Sequence, residues 1–122
     1  MKTKINLLLS LMLFIGITAS AQDSKTEEFK VYGNCGMCKT RIEKAAKTVE
    51  GVTLAEWNKD TKMAKVSFDA NKTNVLKIQE AIANVGHDTD KYKADDKVYE
   101  KLPACCLYER AKIETPVQKK NE

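Results

Sequence analysis

Apolar positions along the chain follow two different periods, changing every ten to fifteen residues or so. Phe29-Lys30-Val31-Tyr32 alternates and predicts a short strand, which Gly33-Asn34 breaks. From about Gly36 to Val49 the period lengthens. Cys38, Ile42, Ala45, Ala46 and Val49 then share one helical face, and Gly51 stands just beyond it as a stop. Val52 to Trp57 predicts a second strand with imperfect alternation, followed by turn residues Asn58-Lys59-Asp60. Ala64, Val66 and Phe68 alternate with Lys65 and Ser67, predicting a third strand that forms a hairpin with the second. Thr73 or Asn74 can cap a second helix, with Val75, Ile78, Ile82 and Val85 on its inner face and Gly86 at its end. His87 to Tyr92 is polar and predicts at most a short edge strand, where lysines such as Lys91 discourage aggregation.

Strand, helix, strand, strand, helix, strand is the split βαβ order of a ferredoxin-like α/β sandwich. Each helix has one apolar stripe to bury against the sheet. The unit spans residues 27–93, preceded by a polar segment over 22–26 that reads as a flexible leader. A domain of that size buries only ~60% of its unfolded surface, so modest stability is expected. Residues 94–122 form a C-terminal extension. It holds a charged stretch from Asp95 to Lys101, the apolar island Leu102-Pro103-Ala104-Cys105-Cys106-Leu107-Tyr108, and a polar tail after Thr115 that reads as disordered.

The first 21 residues have a different character. Lys2 and Lys4 precede an apolar run from Ile5 to Ile17, and Ala19-Ser20-Ala21 places small residues where a signal peptidase reads. The run is shorter than the ~20 residues a membrane span requires. A cleaved secretory signal over 1–21, a new N-terminus at Gln22 and a periplasmic destination are therefore expected. No span is expected in the mature chain. The whole chain has 21 Lys+Arg against 17 Asp+Glu. Cleavage removes two of the lysines and leaves a nearly balanced surface, which gives no ground for nucleic-acid binding.

All four cysteines, at 35, 38, 105 and 106, lie beyond that signal. Exported chains meet oxidising conditions, so disulfides stand beside metal as readings of these thiols. Gly33-Asn34-Cys35-Gly36-Met37-Cys38 lets two sulfurs reach one ion if the loop folds back, and Gly33 and Gly36 give it that freedom. Cys38 falls in the first helical turn, with Cys35 just before it. A helix N-terminus stabilises thiolate, the form that binds metal. Two soft thiolates without a hard ligand favour Cu(I); structural Zn(II) usually takes four ligands.

These features, with Ile42-Glu43 on the first helix, Gly51-Val52 and the segment Ala81-Ile82-Ala83-Asn84-Val85-Gly86-His87-Asp88, resemble the heavy-metal-associated domain family over 27–93. The resemblance implies an exported metal carrier, similar to copper chaperones or to a periplasmic mercury-binding protein, that exchanges its ion with a partner's cysteines. Such a partner would be a metal-transporting ATPase or another cysteine-bearing carrier. It implies Cys35 and Cys38 as ligands, Cu(I) as the first ion, Hg(II) and Zn(II) as the others, and no enzymatic activity. Two positions depart from the family's pattern: Gly33 stands where a Met is usual, and His87 where an aromatic often follows the glycine. The extension lies outside the common domain.

Other readings stand beside this one. The same C-x-x-C is used by thioredoxin-type redox enzymes, although the split βαβ unit over 27–93 is not thioredoxin-sized and no aromatic precedes Cys35. A structural disulfide, within the pair or to 105 and 106, is the third. Cys105 and Cys106 could add thiolates to the first pair, form a second site, bridge to the first pair, or simply be buried small hydrophobes. His87 could be a third ligand, a charge that tunes the thiolates, or an exposed loop residue. Met37 could be a thioether ligand or an exposed hydrophobe. Lys39 and Arg41 could offset the charge of a bis-thiolate site or belong to a solvated face, and Trp57 reads as packing.

Overall fold

The computed structural model describes residues 23–110. The secretory signal expected over 1–21 and the tail expected after Thr115 lie outside the described residues. Strand β1 (Ser24–Lys30), helix α1 (Gly36–Lys47), strands β2 (Val52–Trp57) and β3 (Met63–Asp69) and helix α2 (Val75–Asn84) follow in the expected order. β3 is the centre of an antiparallel sheet of order β1-β3-β2. Its alternation puts Ala64, Val66 and Phe68 into the core. There they meet Ala55 and Trp57 of β2, Phe29 of β1, Ile42, Ala45 and Ala46 of α1, and Ile78 and Ile82 of α2. The fold is thus the mixed α/β sandwich that the periodicity predicts.

Local chemistry explains the boundaries. Lys44 and Lys47 in the last turn of α1 complement the negative end of its dipole. At the start of α2 the Asn74 side chain accepts the Lys77 N–H. The imperfect alternation of β2 is a register irregularity: Val52 pairs with Phe68 and Leu54 with the adjacent Ser67. β1 starts at Ser24, inside the segment expected to be a flexible leader, and pairs from Ser24↔Asp69 to Lys30↔Met63. Its first five side chains are exposed. Backbone pairing to a long central strand, with Thr26 Oγ1 2.8 Å from Ser67 Oγ, orders a segment that has no apolar pattern of its own.

The expected fourth strand is reduced to one bridge, Val31↔Thr89, beside a Tyr32 N–H bond to the Asp88 carbonyl. Beyond it the chain turns on itself. Thr89 N–H donates to the Tyr92 carbonyl, Tyr92 N–H to Thr89 Oγ1, and Lys91 N–H to the buried Gln79 Oε1. Those amides are satisfied without a ladder. His87, Asp88 and Thr89 are fully buried rather than lying along an open edge.

The extension covers them. A short helix α3 (Asp96–Glu100) and a 3-10 turn (Ala104–Cys106) bring Leu102, Cys106 and Tyr108 into the core. Leu102 packs over Gly86, whose φ is +108°; a Cβ there would lie 2.9 Å from the leucine. Tyr108 donates from its hydroxyl to the Gly86 carbonyl (2.7 Å) and accepts the Asp88 N–H (2.8 Å). Arg110 grips Asp88 with two nitrogens, Nε to Oδ2 at 3.0 Å and Nη2 to Oδ1 at 2.8 Å, and also bonds the Ala94 carbonyl and Asp96. Among the described residues no helix is long and apolar enough to cross a membrane.

Candidate metal centre

Cys35 is the N-cap of α1, in extended conformation (φ −142°, ψ 176°), and its side chain caps nothing. The sulfur is therefore left over the helix start, 3.4 Å from the sulfur of Cys38. Cys38 is fully buried on the inner face of α1, and its sulfur accepts the Asn34 N–H at 3.4 Å. Gly33 makes this loop fit. A Cβ at Gly33 would lie 3.1 Å from Cys38 Cβ and 3.1 Å from the Trp57 ring. Trp57 lies under the loop, its Nε1–H donating to the Val31 carbonyl at 3.0 Å. Lys62 holds the loop from the other side, donating from Nζ to the Gly33 carbonyl at 2.7 Å.

The extension adds two more sulfurs. Cys106 is fully buried and its sulfur is 3.6 Å from that of Cys35; Cys105 is exposed, 3.8 Å from Cys106. The sulfurs of Cys35, Cys105 and Cys106 all lie within 4.8 Å of one another. Met37, also exposed, places its thioether 3.5 Å from Cys105. All four cysteines and Met37 thus meet at one end of the domain.

The sulfurs are not equivalent. The Cys38 backbone N–H, aimed at the Cys35 sulfur from the first turn of α1, is the main cause that lowers the Cys35 thiol from 9.0 to about 6. Hydrogen bonds from the other three thiols add to this, against burial. Burial pushes the Cys106 thiol up, and its contacts with Cys38, Cys35 and Cys105 push the same way. The cluster therefore sets the Cys35 sulfur, whose thiolate is favoured, beside further sulfurs, a donor set that suits a soft cation.

The other residues singled out in the sequence are placed differently. His87 is fully buried, its Nδ1–H donating to the Tyr32 carbonyl at 2.8 Å, and its ring stacks on Tyr108 at 5.4 Å. It does not belong to the group of donor atoms formed by Cys35, Cys105 and Cys106. Burial and the charge of Arg41 lower its proton affinity, against the Tyr32 carbonyl and Asp88. Nε2 is buried without a partner. Lys39 spends its charge on Glu43 (2.9 Å) and the Trp57 carbonyl (3.0 Å), which ties α1 to β2. The Asp88–Arg110 pair and Tyr108 were not legible as support for the site; the only trace in the sequence was the apolar island around the cysteine pair.

Comparison with known proteins agrees with this geometry. The heavy-metal-associated domain profile matches residues 29–88. A copper chaperone, CopZ of Staphylococcus aureus, is 36% identical over 55 residues, covering 45% of this chain and 81% of that one. The periplasmic component of a mercuric transport system from Shewanella putrefaciens is 43% identical over 54 residues, covering 44% of this chain and 59% of its own. Among solved structures, a CopZ metallochaperone superposes with a TM-score of 0.52 at 33% identity, over 53% of this chain and 98% of that one. Oxidised MerP from Ralstonia metallidurans gives 0.52 at 34%, over 54% and 93%. With its fold, its C-x-x-C at a helix start and these relatives, the chain belongs to the heavy-metal-associated domain family.

Proposed function

We propose that the protein is an exported carrier that holds a soft metal ion, Cu(I) first, on Cys35 and Cys38, and passes it on by thiolate exchange. The observation that supports this most is the Cys35 sulfur, set at the N-cap of α1 with its thiolate favoured and Cys38 3.4 Å away. A ligand pair with one sulfur half-exposed and one buried lets an incoming thiolate attack from the open side while the inner sulfur keeps hold. The relatives named as copper chaperones favour Cu(I); the mercuric transport relative keeps Hg(II) in view, and Zn(II) is the weakest fit to two thiolates. Export rests on the character of residues 1–21 and agrees with the periplasmic naming of one relative. The receiving partner would carry its own cysteine pair, as in a copper-translocating P-type ATPase, whose N-terminal domain shares this fold.

An anaerobic Cu(I) titration of reduced protein against a competing chelator tests the reading, beside a Cys35→Ser/Cys38→Ser variant. The expected result is about one ion per chain, bound tightly and lost in the variant. Binding unchanged in the variant would overturn Cys35 and Cys38 as the site. Weak Cu(I) binding with tight Hg(II) binding would move the assignment to Hg(II).

A further inference from the structure

The distances between the sulfurs carry information about coordination number. With a metal–sulfur bond of about 2.3 Å, two opposed ligands stand about 4.6 Å apart, three in a plane about 4.0 Å, and four in a tetrahedron about 3.8 Å. Cys35 and Cys38 are separated by 3.4 Å and Cys35 and Cys106 by 3.6 Å. Both pairs lie nearer the three- and four-ligand spacings than the linear one, which needs roughly twice the opening or more. Cys38 and Cys106, both fully buried, each place a sulfur beside that of Cys35. Cys105 is the exposed member of the cluster, its sulfur 3.8 Å from that of Cys106 and 3.5 Å from the Met37 thioether.

The third sulfur is held in place by more than its own turn. Cys106 N–H donates to the Pro103 carbonyl at 2.7 Å and its carbonyl accepts the Tyr108 N–H at 2.9 Å. Two residues on, Tyr108 is bonded to both Gly86 and Asp88, and Arg110 is clamped to the same Asp88. An ion held by three thiolates of one chain needs such a frame, because the ligand from the extension comes from 68 or more residues away in sequence.

On these grounds we propose that Cys106 is a third in-chain ligand, and that the C-terminal extension converts the two-cysteine loop into a closed three-thiolate site for a soft monovalent or divalent cation. The proposal rests on the carrier reading above. As the third metal–sulfur bond forms, the Cys106 thiol proton leaves to solvent. Cys105 remains the outer thiol.

The test is X-ray absorption at the copper edge on Cu(I)-loaded, reduced protein, with oligomeric state measured on the same sample. Wild-type protein is expected to show three sulfurs per ion in a monomer. Cys106→Ser is expected to show two sulfurs and to bind Cu(I) at least about tenfold more weakly, while Cys105→Ser keeps three. Two sulfurs in the wild type would overturn the proposal, and that measurement needs no variant to fold. Three sulfurs found only in a dimer, or lost in Cys105→Ser and kept in Cys106→Ser, would overturn it as well. Failure of the carrier reading gives a different result: Cys35→Ser/Cys38→Ser would bind Cu(I) as wild type does.

Discussion

The Cys38 N–H, facing the Cys35 sulfur from the first turn of α1, is the main cause that lowers the Cys35 thiol to about 6. The depressed value makes Cys35 the fast-reacting thiol of the metal-free protein at neutral pH. Its alkylation by iodoacetamide, followed by mass spectrometry, is expected to hold steady from pH 8 to 7 and fall to about half near pH 6. An ordinary thiol would show that fall near 9.0. The linkage has a definite sign: the thiolate's contribution to stability is full above pH 9, declines below it, and is lost as pH falls through 6. Gly33 poses a steric constraint, a position where an added Cβ is crowded. Gly33→Ala brings a methyl group 3.1 Å from both Cys38 and Trp57, and is expected to destabilise the fold by about 1–3 kcal/mol in denaturant titration.

At the scale of elements, the helices and the β2–β3 hairpin could be read from periodicity because each buries a stripe or an alternating face. α1 and β3 are the best cases: Cys38, Ile42, Ala45 and Ala46, and Ala64, Val66 and Phe68, are the buried residues in both readings. The start of β1 could not be read, because Ser24 to Glu28 expose their side chains and are ordered through backbone bonds to β3. The region after α2 could not be read either. Its buried polar residues look like a surface loop until their partners arrive from about twenty residues downstream, Tyr108 at the Asp88 N–H and Arg110 at the Asp88 carboxylate. That pair fastens α3 and the 3-10 turn to the domain. Arg110→Ala would remove the two charge-assisted bonds that the buried Asp88 carboxylate accepts, at an expected cost of about 1.5–3 kcal/mol in thermal or chemical unfolding.

Over the whole molecule, the family's domain accounts for residues 29–88, and the described chain continues as one packed body to residue 110. The two-cysteine loop was legible because a C-x-x-C at a helix start is a local signal. Its meeting with Cys106 stayed one of several open readings, because it depends on how Leu102 and Tyr108 pack against Gly86 and His87. The pinned extension also bears on how fast an ion can leave. A thiol tethered at the site acts at an effective concentration in the millimolar range, far above that of a partner protein at micromolar levels. A partner's cysteine then competes against a resident neighbour rather than against water. With Cys106 as the proposed third ligand, handing over the ion becomes a matter of residence time, set by how firmly Tyr108 and Arg110 hold the extension.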